Sequence, residues 1–352
     1  MLEAEERPVA DRLDEITHPA QSTRLFGHDD AFGRVEKAWQ SGRLHHAWLI
    51  SGPRGIGKAT LAFHLAKGLL SHPKGAADGV TLRDVTESSA AQVANGAHPN
   101  LLHLTRPWDD KGKRFKTQLS VDEIRRTRNF YGMTAGGDGW RVAIVDAADD
   151  MNASAANALL KILEEPPKQS IFFVITHSAG SLLPTIRSRC QMLRLGPLPD
   201  NAVISTLDHL GVQSGDDTRA RIGTLSGGSP RRAIQLLHGK VLSHYSTFET
   251  LMGQGAVGAA SEWAKAHSIA EALSRRDAEQ DFTLFIDLAL AWIGGTAQRN
   301  AATESLQLLA TWGDVWEKAT RMVTVSDAFN LDRKQVILNL FALVFERNAA
   351  VR

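Results

Sequence analysis

A glycine-rich segment, residues 52–59, constrains the fold of this chain more than any other part, and it reads GPRGIGKA. Glycine, four residues, glycine and lysine form the pattern of a phosphate-binding loop. Such a loop joins a strand to a helix, because backbone amides at the helix N-terminus hold phosphate oxygens. An apolar run, residues 47–51, precedes the loop, and Leu61, Leu65 and Leu69 follow it at helical spacing. The sequence therefore predicts a strand, a phosphate loop and a helix in succession.

The last position of this loop departs from the complete motif, in which a hydroxyl residue binds Mg²⁺. Ala59 stands there, and Thr60 points about 100° away around the helix. The backbone amides and Lys58 can still bind phosphate. We expect a loop that has lost one of the groups needed for hydrolysis.

A second part of a nucleotide site is Asp146, which directly follows the apolar run 142–145. A carboxylate at this place can hold the metal ion beside the phosphates. Ala147 comes next, where hydrolysing proteins of such folds often carry a glutamate that polarises water. A second interpretation is that Asp146 only ends a strand or caps a turn.

The composition excludes several classes of protein. Of 352 residues, 43% are hydrophobic and 22% charged, and the net charge of +1 neither indicates nor excludes a nucleic-acid partner. The lone cysteine, Cys190, excludes a disulfide framework and a cysteine-based zinc site, and a reducing cytoplasm is the expected compartment. We see no secretory signal and no run of the roughly 18 apolar residues that a membrane span needs.

Short apolar runs alternate with amphipathic stretches in the first part of the chain. The candidate strands are residues 47–51, 101–104, 141–146, 171–176 and 191–195. The alternation predicts an α/β fold with a parallel sheet, helices on both faces, and ligands at the carboxyl ends of the strands.

Changes in composition predict four segments along the chain. They are an acidic N-terminal segment, residues 1–21; a P-loop core domain, 22–196; a small helical lid, 197–241; and a helical C-terminal domain, 242–352. We expect the tryptophans of the last segment to pack its core or a subunit interface.

The stretch NALLKILEEPP, residues 157–167, predicts an amphipathic helix that Asn152 caps and the two prolines end. Glu164 and Glu165 point about 100° apart on such a helix, which argues against a paired acid–base site. The segment TIRSRC, residues 185–190, follows further along.

The phosphate loop, Asp146, residues 157–167 and residues 185–190 occur in an order that resembles bacterial clamp-loader AAA+ subunits. The resemblance covers about residues 25–239. It implies an AAA+ P-loop core with a parallel sheet, a small helical lid and an all-α collar domain for oligomerisation.

The resemblance also implies roles for individual residues. They are Gly52, Gly55, Gly57 and Lys58 in the Walker A loop, Asp146 in Walker B, Thr176 at or near sensor 1, Arg231 or Arg232 in the sensor-2 region, and Ser188, Arg189 and Cys190 in a Ser-Arg-Cys motif. The arginine of that motif reaches the nucleotide site of a neighbouring subunit.

The resemblance implies that Arg189 is catalytic in trans, at the nucleotide site of the neighbouring subunit. A guanidinium is planar and permanently charged, and such a finger is worth about 10³–10⁵ in rate in other NTPases. The alternative interpretation is an ordinary structural ion pair. Cys190 is expected to be a small packed side chain rather than a nucleophile.

Two departures from the family pattern concern cofactors. Ala59 and Ala147 replace the metal-binding hydroxyl and the glutamate, so ATP or ADP held without hydrolysis is an open possibility. Many relatives carry a cysteine zinc module after the phosphate-loop helix, and residues 71–100 contain no cysteine, so no zinc is expected.

The function implied is that of a non-motor, stator-like subunit in the clamp loader of the DNA polymerase III holoenzyme. Its partners would be motor subunits of the gamma/tau type and a delta-type subunit in a hetero-oligomeric ring, with the sliding clamp and primed DNA reached through the assembly. The holoenzyme is a nucleotidyltransferase, but we expect this chain neither to polymerise DNA nor to hydrolyse ATP efficiently.

Two other functions remain open. A catalytically active AAA+ motor would need water or Asp146 to compensate for Ala59. A small-molecule P-loop kinase would need its own metal site, which Ala59 argues against, and it gives residues 188–190 no role.

Two further groups of residues carry weaker signals. A basic stretch around Phe115, with Lys111, Lys113, Arg114, Lys116, Arg125, Arg126 and Arg128, fits a DNA backbone or, as we favour, a solvated loop and helix face. His45 and His46 are expected on opposite sides of a strand, where they could not share a metal.

Overall fold

The computed structural model describes residues 10–13, 16–76, 79–132, 139–300, 305–329 and 331–351. Contacts within the chain divide it into two compact units, Met1–Arg231 and Arg232–Arg352. Each unit is described by itself below. The four predicted segments stay a prediction, and most of the acidic segment lies outside the described residues.

The first unit is built on a five-stranded parallel sheet in the order β2-β5-β6-β1-β7. Its strands and those of a small hairpin are β1 (Ala47–Ser51), β2 (Leu101–Leu104), β3 (Trp108–Asp109), β4 (Arg114–Phe115), β5 (Arg141–Val145), β6 (Ser170–Thr176) and β7 (Gln191–Arg194). The predicted α/β fold with a parallel sheet is confirmed, and each of the five predicted strands forms with ends that differ by at most one residue.

Helices surround this sheet and continue after it. They are α1 (Asp29–Gln40), α2 (Lys58–Ser71), α3 (Glu87–Ala94), α4 (Val121–Gly132), α5 (Ala153–Glu164), α6 (Pro184–Ser188), α7 (Asp200–His209) and α8 (Asp216–Leu225), and α9 (Pro230–His238) begins at the boundary between the units. The Asn152 side chain accepts the Ala155 N–H at 2.9 Å, as an N-cap should, and α5 ends before the two prolines as predicted.

The core lies on both faces of the sheet because alternate residues of each strand point to opposite sides. Phe173 of β6 packs with Phe63 of α2 on one face, and Phe172 packs with Leu159 of α5 on the other. All four are at most 2% exposed. Burying a phenylalanine or leucine stabilises the fold by about 1.5–3 kcal/mol each, so the central strands β1 and β6 are the firmest support for the loops at their ends.

One prediction for polar residues is refined in its local geometry, and another is wrong. The basic stretch is not a plain loop, because β3 and β4 pair as an antiparallel hairpin in which Trp108 and Phe115 meet edge to face at 4.9 Å. His45 and His46 precede β1 rather than lying within it, so the alternation of a strand does not apply. Their rings stack at 4.4 Å.

The second unit is helical. It contains α10 (Val241–Gly253), α11 (Ala260–Leu273), α12 (Glu279–Asn300), α13 (Leu306–Phe329) and α14 (Arg333–Val351). Phe248 lies at its centre and meets Phe285, Trp292 and Phe341 edge to face at 5.5–5.7 Å. Trp312 is buried, whereas Trp316 is 46% exposed. No helix within the described ranges combines the length and the apolar character that crossing a membrane requires.

Candidate nucleotide-binding site

The phosphate loop leaves β1 at the carboxyl edge of the sheet and enters α2. Gly55 and Gly57 have φ angles of +75° and +100°, which residues with a Cβ rarely adopt. A Cβ on Gly52 would lie 2.4 Å from the Leu195 carbonyl oxygen. The His28 ring contributes a contact that the motif did not predict, since its Nε2 lies 2.7 Å from the Ile56 carbonyl oxygen. The glycines are therefore required by the shape of the loop.

Lys58 is the cation of this loop and is only 4% exposed. Its Nζ donates to the carbonyl oxygens of Gly52 at 2.7 Å and Pro53 at 2.5 Å. Burial lowers the pKa of Lys58 to about 8, against the opposing effect of Asp146 and Asp149. The acidic groups near this amine, Asp146 and Asp149, both lie in the segment that follows β5.

Asp146 follows β5 directly, at the same edge of the sheet. Its Oδ2 lies 3.9 Å from Nε2 of His103, and its side chain is 27% exposed. The neighbouring Ala147 is buried, and Ala59 is half-buried against the core. The carboxylate that the sequence predicts is thus beside the loop, without a hydroxyl at residue 59 or a carboxylate at residue 147.

Thr176 ends β6, and its hydroxyl donates to Oδ1 of Asp149 at 2.8 Å. Asp149 also accepts the backbone N–H of His177 at 2.7 Å and the hydroxyl of Ser181 at 2.9 Å. Burial acts to raise the pKa of Asp149, but these hydrogen bonds outweigh it and leave the pKa lowered. No sequence pattern predicts this hydrogen bond, because residues 149 and 176 are distant in the chain.

Residues 229–231, at the start of α9, pack onto the phosphate loop. The Arg231 N–H donates to the Gly55 carbonyl at 3.3 Å, and a Cβ on Gly55 would lie 2.4 Å from Oγ of Ser229. The Arg231 guanidinium donates to the Asp11 carbonyl, and burial lowers the pKa of Arg231. Arg231 therefore lies beside the predicted site, while Arg232 falls in the second unit.

Asp11 brings the N-terminal part of the chain to the same place. Its two carboxylate oxygens each accept a hydrogen bond from Nη2 of Arg106 at 3.0 Å. Nε of Arg106 lies 3.1 Å from Asp150 on the other side. Neither Asp11 nor Arg106 was predicted, since their meeting depends on how the unit folds.

The Ser-Arg-Cys segment lies apart from this cluster, at the end of α6. Nη2 of Arg189 forms an ion pair with Oε1 of Glu164 at 2.8 Å, with the two side chains 36% and 43% exposed. Nη1 of Arg189 donates to the Thr185 carbonyl at 3.0 Å. Cys190 packs against the core, and burial raises the pKa of its thiol to about 12. A thiol in that state is a poor nucleophile at neutral pH.

The parallel sheet, the loop before α2 and the aspartate after β5 are the features of a P-loop protein. A family model described as "DNA polymerase III, delta subunit" matches residues 27–199.

Curated relatives narrow this class. The chain is 39% identical over 199 residues to "DNA polymerase III subunit delta'" of Pseudomonas aeruginosa, which covers 55% of this chain and 56% of that relative. It is 34% identical over 209 residues to the protein of the same name in Escherichia coli, covering 59% of each. It is 31% identical over 330 residues to "DNA polymerase III subunit gamma/tau" of Mycobacterium bovis, covering 90% of this chain and 53% of that relative.

The chain thus spans between about half and three fifths of the length of these relatives. It belongs to the clamp-loader AAA+ family, among the DNA polymerase III delta' subunits.

Proposed function

We propose that this chain is a stator subunit of a DNA polymerase III clamp loader and that it presents Arg189 to ATP bound by a neighbouring subunit. The proposal combines its family with the chemistry of two surfaces. One is the phosphate loop, which lacks groups that cleavage needs. The other is the end of α6, where a partly exposed guanidinium is held.

The phosphate loop supports the first half of the proposal. Ala59 offers no ligand to Mg²⁺, and Ala147 cannot polarise water. The Thr176 hydroxyl is already bonded to Asp149. The loop amides and Lys58 remain, so this site would hold ATP or ADP as a structural ligand without cleaving it.

The partial exposure of Arg189 supports the second half of the proposal, the arginine finger. It is the single observation on which the proposal depends. Its side chain is 36% exposed, which leaves part of the guanidinium open to a triphosphate on another subunit. Its planar fork of donors matches phosphate oxygens. The alternative interpretation, in which Arg189 only forms a structural ion pair, predicts a contact such as the one with Glu164. A pair this exposed contributes only about 0–1 kcal/mol and can yield to a phosphate.

In the assembly, motor subunits of the gamma/tau type and a delta-type subunit would complete a ring through the helical domains. Hydrolysis by the motors would then drive loading of a sliding clamp at primed DNA, in the bacterial cytoplasm. This chain would contribute to replication as a part of the polymerase holoenzyme, and the motor subunits would hydrolyse the ATP.

Arg189→Ala in a reconstituted loader tests this function. We expect DNA-stimulated ATP turnover to fall by at least about tenfold, because the lost charge stabilises a phosphoryl-transfer transition state. Arg187→Ala is the matched control, since Arg187 is an exposed arginine of the same helix, and it should change turnover little. Arg189→Lys should restore only part of the rate, because an ammonium lacks the fork.

Two results would contradict the proposal. One is equal turnover and clamp loading by the Arg189→Ala and Arg187→Ala loaders. The other is ATP hydrolysis by the purified chain alone, at a motor's rate and abolished by Lys58→Ala. The second result would favour the alternative of an active AAA+ motor.

A further inference from the structure

Glu164 joins two segments that the sequence keeps 25 residues apart (189 − 164), at the C-terminal ends of α5 and α6. Its Oε1 lies 2.8 Å from Nη2 of Arg189. Helices α5 and α6 pack together, with Leu163 and Ile186 in the same buried core. The core therefore sets the distance between the carboxylate and the guanidinium.

The position of Glu164 is an unfavourable one for a carboxylate. It is the last residue of α5, where the helix dipole places partial negative charge. A cation nearby offsets this repulsion, and Arg189 is the ion-pair partner that the described part of the chain provides. By contrast, no ion pair of the next residue, Glu165, is found within the described ranges, although it too is exposed. The local electrostatics thus favour the pair with Arg189 at residue 164.

The contacts of Arg189 hold one side of its guanidinium. Nη2 meets Glu164, and Nη1 donates to the Thr185 carbonyl at 3.0 Å and reaches Oγ of Ser188 at 3.5 Å. No partner of Nε is found within the described residues. A free arginine side chain samples many rotamers, and ordering it on binding is costly. These three contacts of Nη1 and Nη2 restrict the rotamers before a ligand arrives.

We propose that Glu164 is a positioning residue for Arg189. The inference rests on the proposed function, in which Arg189 meets a triphosphate on a neighbouring subunit. Glu164 holds Nη2 of the guanidinium and so restricts its orientation before docking. The exposed ion pair is weak enough for phosphate oxygens to replace or share it.

Glu164→Gln in the reconstituted loader tests the inference, with Glu165→Gln as the matched control. Both variants remove one negative charge from the same helix end. We expect Glu164→Gln to lower kcat for ATP by about twofold to fivefold, the range that an exposed ion pair can supply, with KM unchanged. The Glu165→Gln loader should match the wild type. In an Arg189→Ala background, Glu164→Gln should have no further effect, because its target is gone.

The isolated chain provides a readout that needs no partner. Arginine side-chain NMR reports rotation about the Nε–Cζ bond, which an ion pair slows. We expect Glu164→Gln to speed this rotation at Arg189 and Glu165→Gln to leave it unchanged. Because residue 164 is exposed, neither change should alter the thermal midpoint by more than about 2 °C.

The outcomes distinguish failure of the positioning role of Glu164 from failure of the proposed function of Arg189. If Arg189→Ala leaves turnover intact, the proposed function fails. If Arg189→Ala lowers turnover but Glu164→Gln behaves as Glu165→Gln in kcat, the positioning role alone is overturned. Unchanged rotation at Arg189 in the Glu164→Gln chain overturns it as well.

Discussion

At the scale of single residues, burial changes the charge balance of Lys58. The amine is enclosed by the loop and bonded to two carbonyl oxygens, and its pKa falls to about 8 from an ordinary 10.5. Burial disfavours the charged form more than the nearby carboxylates favour it. Lys58, the cation that we propose for phosphate binding, is therefore also a group whose protonation opposes folding.

This pKa predicts a pH dependence of stability. Between about pH 8 and pH 10.5 the unfolded chain keeps the Lys58 proton that the folded chain has lost, so the free energy of unfolding rises with pH. Measured against Lys58→Met, the wild type should gain about 1–3 kcal/mol across this window. Urea unfolding of both proteins at pH 7.5, 9 and 10.5 measures the difference. A difference that stays constant or shrinks would show that the pKa is not lowered.

At the scale of elements, the ends of helices fix where the candidate functional residues lie. Asn152 starts α5, and the helix ends at Glu164, before two prolines. Its length therefore decides that the carboxylate stands beside Arg189 rather than one turn away. Local rules of capping and proline stereochemistry predict both ends.

Asn152→Ala tests the cap. We expect a loss of about 1 kcal/mol in the free energy of unfolding, because the Ala155 N–H loses its acceptor. Asn157→Ala is the matched control, since Asn157 is exposed inside the same helix and alanine favours the helix. Chemical denaturation of the three proteins measures the effect. Equal stability of both variants would argue against the cap.

At the scale of the whole molecule, the candidate site is assembled from segments that are far apart in the chain. Asp11, Gly55, Arg106 and Arg231 meet within the first unit, through the hydrogen bonds of Asp11 and the packing of Arg231 on Gly55. Long-range contacts of this kind depend on how the sheet and its loops fold together. They make the phosphate loop part of the tertiary packing of the first unit.

Gly55→Ala tests that packing. Its φ angle is +75°, and a Cβ would collide with Ser229 and Arg231. Gly42 has a similar φ of +68° but open space around a Cβ. We expect Gly42→Ala to cost about 1–2 kcal/mol from backbone strain, and Gly55→Ala to cost about 1–3 kcal/mol more from overpacking. Urea denaturation compares the two variants, and equal costs would mean that residues 229–231 do not pack on the loop.

The sequence by itself determined the parallel sheet, the phosphate loop, the incomplete metal site and the ends of α5. Each of these depends on neighbours in the chain: apolar runs, glycines at fixed spacing, a side-chain cap and a proline stop. Residue identity alone also settled what Ala59 and Ala147 lack, since no fold can restore a missing hydroxyl or carboxylate.

Only the tertiary structure decided which of the remaining polar side chains meet. The bond from Thr176 to Asp149, the pairing of Asp11 with Arg106 and the contact of Glu164 with Arg189 all join separate elements. The stacking of His45 on His46 escaped prediction because both residues precede β1, where the alternation of a strand does not apply. The spacing of residues along the chain does not predict such contacts, because the packing of helices on the sheet sets the distances between these side chains.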